Sequence, residues 1–470
     1  MHAPSTPHRA RSLVTLAVAA LGVAACASGP RPVRPPAPNA EPDAGPAAAA
    51  HAAPESAELA HPLRVERLLP LVLERSPRVV AARARLEAAA QRRPQAVSLP
   101  DPMVEVRRFT RNAMAPGTSF PRYEVMLRQE FPFPTVIGLR GDAADRATEA
   151  EALRYEATVR DAVAELKDVH AERAYLAAAA RVQAALRDVY RRYAELARAD
   201  ITTGRTRLPE SFRAEALLAQ AGYELTLLDE LRGVEDQRLR ALLALPRDVA
   251  LGEPADTPPA ADLDIDVEAL TRRALEHNQE LRAAGVDVAS AEIGARLARW
   301  EWAPMFSVGA STMRNDAYDM ATGATRDSTT VSLGFTLPLW AAGKDAAARE
   351  ADANVRAARA VESGERERVA ADVARMAFRL RNAARLEVLY GRDLVPQAEQ
   401  ALARSEVLVR EGQESLASSL ELAATWQQLR IAQLRAGADR EQAAAALERV
   451  LGTSLDLVPS RPDGAQEDAR

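Results

Sequence analysis

The residues of this chain that could do chemistry are six histidines, one cysteine and 66 carboxylates. The histidines show no paired spacing that would bind a metal ion, since they stand at His2, His8, His51, His61, His170 and His277. The carboxylates alternate with arginines, which is typical of solvated helix faces. The sequence contains no nucleophile elbow and no phosphate-binding loop. It therefore predicts no catalytic residue, no metal site and no cofactor, and it indicates that the protein is not an enzyme.

Methionine sulfur is a further candidate ligand, because thioethers bind soft metal ions. Met103, Met305, Met313 and Met320 lie near the strands predicted below. Methionines in such hairpins more often pack or face lipid, so the sequence assigns them no metal.

The only cysteine, Cys26, stands where a lipid would be attached. Two arginines precede an apolar run over residues 13–25, which is the layout of a secretory signal. The run ends in Val-Ala-Ala-Cys, which resembles a bacterial lipobox, and the following Ala27 implies sorting to the outer membrane. We expect residues 1–25 to be a signal peptide and Cys26 to carry acyl chains such as palmitate, each buried methylene contributing about 0.8 kcal/mol to anchoring. A plain signal peptide with an incidental cysteine is the alternative.

The composition favours long helices over a globular core. Aromatic residues make up only 4 % of the chain and charged residues 27 %, while alanine supplies much of the 47 % apolar share. This balance is typical of helices packed along their lengths. No uncharged apolar run of helix-spanning length follows the N-terminus, so a bilayer would have to be crossed by strands. The net charge of −5 gives no indication of nucleic-acid binding.

An internal repeat organises the chain. The segment that starts at Val65 matches the segment that starts at Val267, and Pro102-Met103 matches Pro304-Met305 at the same offset. Gly204 likewise matches Gly412. The predicted division is given by these ranges: a Pro/Ala-rich tether over 26–61, a first repeat over 62–246, a linker over 247–262, a second repeat over 263–452 and a flexible tail over 453–470.

Each copy predicts a short helix, a strand pair, a very long helix, a turn and a returning helix. The long helix of the first copy is predicted from about Gly141 to Thr203, with coiled-coil spacing at Val182, Leu186, Val189 and Tyr193. The second copy repeats this spacing at Val369, Val373, Met376 and Leu380. Pro396 should bend the second long helix, because proline lacks the amide hydrogen and clashes with the preceding turn.

The predicted strands alternate with a period of two. Val331, Leu333 and Phe335 alternate with small polar residues, and Tyr123, Val125 and Leu127 alternate with Glu124, Arg128 and Glu130. Apolar and polar faces of this kind suit a membrane barrel with a wet lumen. Four strands cannot close a barrel, so the chain must oligomerise. Arg107, Arg108 and Arg111 make the first strand more basic than a lipid-facing strand should be. If Arg107 faces the lumen the alternation holds, and Arg108 must then lie near the interface or extend its guanidinium toward it.

The order of these elements resembles the TolC-like outer-membrane efflux family. Individual matches are Leu337-Pro338-Leu339-Trp340 at a strand-to-helix exit and Val409-Arg410-Glu411-Gly412 at a helix end. The segment Arg128 to Pro134 resembles the heavy-metal branch of the family. The resemblance covers residues 62–452 and implies a mainly α fold with membrane β structure. In that fold a homotrimer joins a 12-stranded β-barrel to an α-barrel of coiled-coil helices.

The resemblance also implies function and partners. It implies a passive exit duct in the outer membrane, which receives substrates from an inner-membrane efflux pump through a periplasmic adaptor protein. The candidate adaptor-docking residues are Thr203, Gly204, Arg205, Arg410, Glu411 and Gly412. The substrate, whether metal ions, drugs or other small molecules, stays open.

A periplasmic coiled-coil scaffold lipoprotein without a pore is the main alternative. It predicts loops or helix, instead of strands, over residues 303–313 and 328–338. A periplasmic adaptor would require a lipoyl-like β-domain beside one hairpin, which the placement of hairpins inside each repeat disfavours.

Overall fold

The structure, a computed structural model, describes residues 62–110, 121–203, 208–255, 265–315 and 327–455. The predicted signal peptide and the tether with Cys26 lie outside these residues. So do Gly204, Arg205, Arg111 and Met320.

The first repeat contains three short helices, two strands and two long helices. These are α1 (Val65–Arg75), α2 (Pro77–Ala90), α3 (Arg92–Ala96), β1 (Met103–Arg108), β2 (Pro121–Phe131), α4 (Pro134–Thr203) and α5 (Leu208–Leu242). The helix α1 is amphipathic, because Leu68 and Val72, four positions apart, are both buried.

The second repeat has the same order of leading helices, strand pair and long helices, although two helices instead of three precede its strands. Its elements are α6 (Val267–His277), α7 (Gln279–Trp300), β3 (Phe306–Asn315), β4 (Ser328–Phe335), α8 (Ala341–Val388), a π-helical turn (Leu389–Leu394), α9 (Val395–Arg410) and α10 (Leu416–Leu451). The side chains of Asp266 and Asn278 cap α6 and α7 by accepting hydrogen bonds from backbone amides of the first turn. Like α1, α6 contains 11 residues, as the repeat predicts. The strands β3 and β4 contradict the scaffold alternative.

The long helix α4 contains 70 residues, which corresponds to about 105 Å at 1.5 Å per residue. The predicted start near Gly141 is wrong, because the helix begins at Pro134, where a missing amide hydrogen costs nothing. Gly141 serves packing instead. A Cβ atom there would lie 2.9 Å from the Val97 side chain.

The second long span is divided. The 48 residues of α8, the 6 of the π-helical turn and the 16 of α9 together equal the 70 residues of α4. The π-helical turn ends directly before Val395 and Pro396, where the sequence predicts a disturbance. Because Pro396 cannot donate to the preceding turn, the backbone widens there while the total length of the span is preserved.

The helices pack lengthwise around three apolar clusters. One lies within the first repeat, around Leu166 and Leu243, and one within the second, around Val373 and Leu451. The third joins both repeats, since Leu186 of α4 lies in one cluster with Leu420 of α10. The predicted coiled-coil residues Leu186, Val189 and Tyr193 are buried, as expected. Among the described helices, none is apolar over a length that would cross a membrane.

Candidate functional site

The four strands form one antiparallel sheet in the order β1-β2-β3-β4. Each hairpin comes from a different repeat, and β2 pairs with β3 through partners such as Leu127 and Ala310. About 170 residues of helix and linker separate these two strands in sequence. The sheet is therefore the place where the two repeats are joined by backbone hydrogen bonds.

One face of the sheet is apolar and exposed. Register places Val104, Leu127 and Val331 in one row across the sheet, and their exposed fractions are 64 %, 50 % and 78 %. The face also carries Val106, Tyr123, Val125, Val308, Leu333 and Phe335. The predicted alternation in β2 and β4 is confirmed. An apolar face this large on an isolated chain requires another apolar surface to cover it.

The opposite face is polar, and the two hairpins differ there. The first hairpin contributes Glu105, Arg107, Glu124, Arg128 and Glu130. The second contributes Ser307, Gly309, Ser311, Ser328, Thr330, Ser332 and Gly334. The long charged side chains of β2 thus lie beside small residues of β3. Gly309, the partner of Arg128, has no room for a Cβ atom, which would lie 2.7 Å from the Ser332 hydroxyl.

Three charged residues of the first hairpin form a network. The Arg107 guanidinium donates to both Glu105 oxygens, from Nε at 2.8 Å and from Nη2 at 3.1 Å. Its Nη1 lies 3.7 Å from Oε2 of Glu124, which is only 8 % exposed. Arg107 is on the polar face, which is the placement that keeps the alternation of β1. Arg108, the last residue of β1, is on the apolar face.

The outer strands β1 and β4 each pair with one neighbour among the described strands. Their outer backbone edges carry amide and carbonyl groups that could pair with another chain.

The long helices α4 and α9 end next to the residues predicted as tips. At the second tip the amide of Gly412 donates to the Val409 carbonyl and the amide of Gln413 to the Leu408 carbonyl. This is a Schellman ending, and Gly412 adopts the required positive φ of 72°. Ser415 then caps α10 by accepting from the Ser418 amide. Arg410 and Glu411 of this tip are exposed. At the first tip, α4 ends at Thr203 and α5 begins at Leu208.

A buried hydroxyl cluster near the tips was missed by the sequence analysis. The hydroxyls of Tyr193 on α4 and Ser419 on α10 lie 2.5 Å apart, and Ser405 on α9 donates to Ser419 at 2.8 Å. Burial raises the pKa of Tyr193, so its hydroxyl stays neutral. The only sequence signal is that two serines stand at helix positions where the pattern calls for apolar residues. Their hydrogen-bond partner is defined only once the helices pack together. Beside the cluster, Arg192 of α4 pairs with Glu406 of α9 at 3.1 Å.

The fold defines a class of protein in which long packed helices carry two antiparallel hairpins that join in one four-stranded sheet. Residues 270–453 match the family model described as outer membrane efflux protein. The outer membrane protein VceC of Vibrio cholerae has a similar structure, with a TM-score of 0.70 at 19 % identity over 83 % of this chain and 96 % of VceC. A membrane protein from Pseudomonas aeruginosa has a TM-score of 0.71 at 19 % identity over 86 % and 94 % of the two chains.

The CmeC outer membrane channel of Campylobacter jejuni also shares the fold, with a TM-score of 0.66 at 15 % identity over 83 % of this chain and 85 % of CmeC. No protein of curated function matches in sequence. The second half of the chain thus matches the outer-membrane efflux protein family, and the mainly α fold with antiparallel hairpins, which these solved channels share, is the one predicted.

Proposed function

We propose that three copies of this chain form the outer-membrane channel of a tripartite efflux system. The channel is a passive exit duct, and an inner-membrane pump and a periplasmic adaptor deliver its substrates. The observation that carries this proposal is the four-stranded sheet, which has one exposed apolar face, one polar face and two outer edges that no other described strand pairs with.

The sheet needs sister copies because lipid offers no hydrogen bonds. Each unpaired backbone group in hydrocarbon costs several kcal/mol, so an open edge cannot persist there. Pairing β4 of one copy with β1 of the next removes both edges. Three sheets then supply twelve strands, with apolar residues toward lipid and charged residues toward water.

The helices support self-association as well. On α5, Tyr223, Leu227, Leu231 and Val234 follow spacings of four, four and three and are all exposed in the single chain. Exposed apolar residues of α8 and α9, including Phe378 and Val407, offer a second surface. We propose that these two surfaces meet between neighbouring copies in the helical part of the trimer.

Cys26 anchors each copy to the outer-membrane lipid in this proposal, with residues 1–25 removed as a signal peptide and residues 26–61 serving as a tether. Cys26→Ser should abolish incorporation of labelled palmitate into the full-length protein. Labelling that persists in Cys26→Ser would contradict the anchor and leave the channel proposal intact.

The adaptor docks at the tips, through Thr203, Gly204 and Arg205 of the first repeat and Arg410, Glu411 and Gly412 of the second. Exchanging the charges with Arg410→Glu and Glu411→Arg should abolish co-purification of the adaptor that belongs to the same efflux system. Trimer formation and conductance should be unchanged, because the tips lie at the opposite end of α4 from the sheet.

Neighbouring residues of β4 test the channel itself. Val331→Arg places a charge on the apolar face, which costs about 2–4 kcal/mol of stability in the membrane for a residue near the bilayer centre. Thr330→Arg places the same charge on the polar face and is the matched control. We expect Val331→Arg to lose heat-resistant trimers from outer-membrane fractions and conductance in planar bilayers, and Thr330→Arg to keep both. Equal behaviour of the two variants, or a water-soluble wild-type monomer, would refute the proposal.

A further inference from the structure

Three methionines lie on the polar face of the sheet along one diagonal. Met103 of β1 pairs with Arg128, Met126 of β2 pairs with Glu105 and Ser311, and Met313 of β3 pairs with Glu124. Each methionine is therefore one strand across and one same-face position along from the next. Diagonal neighbours in a sheet are roughly 7–8 Å apart, within reach of long side chains.

The location of these methionines is unexpected for packing residues. Between Ser307 and Met313, the other residues on this face and their strand partners are charged, hydroxyl-bearing or glycine, and water is the environment that suits them. Met103 is 52 % exposed, and Met126 and Met313 are half-buried. Three thioethers on a surface exposed to water gain little from the hydrophobic effect. Their sulfur atoms are soft ligands, which no neighbouring side chain on this face offers.

We propose that Met103, Met126 and Met313 bind soft monovalent metal ions, Cu(I) or Ag(I), as cargo in the channel. Thioether sulfur prefers such ions, whereas Mg²⁺ and Ca²⁺ prefer oxygen. The inference rests on the proposed function, because this face lines a lumen only when the trimer closes.

The charges around the methionines differ by one. Glu105, Glu124 and Glu130 share the face with Arg107 and Arg128, so one excess negative charge attracts any cation and the sulfur atoms select the soft ones. Arg128 is the one opposing contact, because its Nη2 lies 3.8 Å from the Met126 sulfur. A bound cation displaces this guanidinium toward the solvent.

Silver titration of the purified full-length protein tests the site. Equilibrium dialysis against Ag⁺ in chloride-free buffer, with metal measured by mass spectrometry, gives the affinity. The variant Met126→Leu/Met313→Leu keeps side-chain volume and should bind about tenfold more weakly or worse. Met376→Leu, a methionine of α8 that packs against an apolar cluster, is the matched control and should bind like the wild type. Cys26 is present in every variant, so its contribution cancels.

A second variant moves the affinity in the opposite direction. Arg128→Gln removes the positive charge 3.8 Å from the Met126 sulfur and should tighten silver binding by about fivefold, as expected for the repulsion of two unit charges about 4 Å apart in water, a gain that a merely structural role would not produce. Equal binding by the wild type and the double methionine variant, or weaker binding by Arg128→Gln, would overturn the site.

Trimer content and conductance of the same preparations separate the two proposals. If the preparations contain conducting trimers and neither variant changes silver binding, the metal site is refuted and the channel proposal stands. A wild-type preparation without trimers or conductance refutes the channel, whatever its silver binding.

Discussion

The two repeats have corresponding helices, but one buried position carries an arginine in the first repeat and a leucine in the second. A shift of 207 positions places α4 on residues 341–410 and brings Arg173 onto Leu380, and these residues are 1 % and 0 % exposed. On the facing helices, a shift of 208 that matches the starts of α5 and α10 brings Asp236 onto Ala444. The first repeat thus has a buried arginine paired with a partly buried aspartate where the second has an apolar contact.

The difference shows what the charged pair adds. Arg173 Nε donates to Asp236 at 2.7 Å, and its Nη2 donates to the Gly252 carbonyl at 3.1 Å. The arginine therefore ties the start of the linker to α4, whereas Leu380 has only apolar neighbours in its cluster. Burying an ion pair brings little net stability, because desolvation offsets the attraction. Its consequence here is the fixed position of the linker.

The largest expected effect comes from breaking the pair. Asp236→Ala leaves the Arg173 guanidinium buried without a counter-charge, which should cost about 3–5 kcal/mol of unfolding free energy. Denaturant unfolding followed by circular dichroism at the helical band gives this value. The double variant Arg173→Leu/Asp236→Ala reproduces the second repeat and should lie within about 1 kcal/mol of the wild type. A fully stable Asp236→Ala would show that the pair is not needed.

The long helices give the next largest effect. Val189 of the unbroken α4 corresponds to Pro396 under the same shift. Val189→Pro should cost about 3 kcal/mol or more, because it removes a hydrogen bond inside a regular helix. Pro396→Val should change stability by less than about 1 kcal/mol, since the π-helical turn already accommodates the position. Thermal unfolding of both variants checks this contrast, and similar losses would contradict it.

The hydroxyl cluster that joins the repeats should contribute less. Ser419→Ala removes the common partner of Tyr193 and Ser405 and leaves two buried hydroxyls unpaired, at about 1–3 kcal/mol. Ser418→Ala, one residue away and exposed, is the control and should be close to neutral. If the two alanine variants unfold at the same temperature, the cluster does not stabilise the tips.

The smallest effect concerns Glu235, which corresponds to Ala443 of the second repeat. Burial raises the pKa of Glu235, opposed by Arg238 and reinforced by Glu172 and Asp168. A raised carboxyl pKa means that stability falls as pH rises from the ordinary glutamate range through the folded-state pKa. Glu235→Gln should therefore stabilise the protein at neutral pH by less than about 1 kcal/mol. Melting temperatures across pH should converge below the ordinary glutamate pKa. A glutamine variant less stable at neutral pH would contradict the shift.

Much of the fold could be predicted from local patterns. The 202-position offset places α1 and α6 correctly, and the alternation in β2 and β4 gives the two faces of the sheet. The start of α4 could not be predicted from the sequence, because Gly141 looks like a helix boundary there. In the structure this glycine lies inside the helix, where its lack of a side chain allows close contact with Val97. The tip at Gly412 was predictable, since only the local backbone is involved in a Schellman ending.

The sequence by itself determined the repeat, the presence of long helices and which strand residues share a face, because these depend on spacing along one segment. Only the tertiary structure decided the register of β2 with β3, the diagonal of three methionines, the Arg173–Asp236 pair and the hydroxyl cluster. Each of these joins residues from different elements, and pairing between elements is fixed by packing and hydrogen bonding over the whole chain, which no local pattern contains.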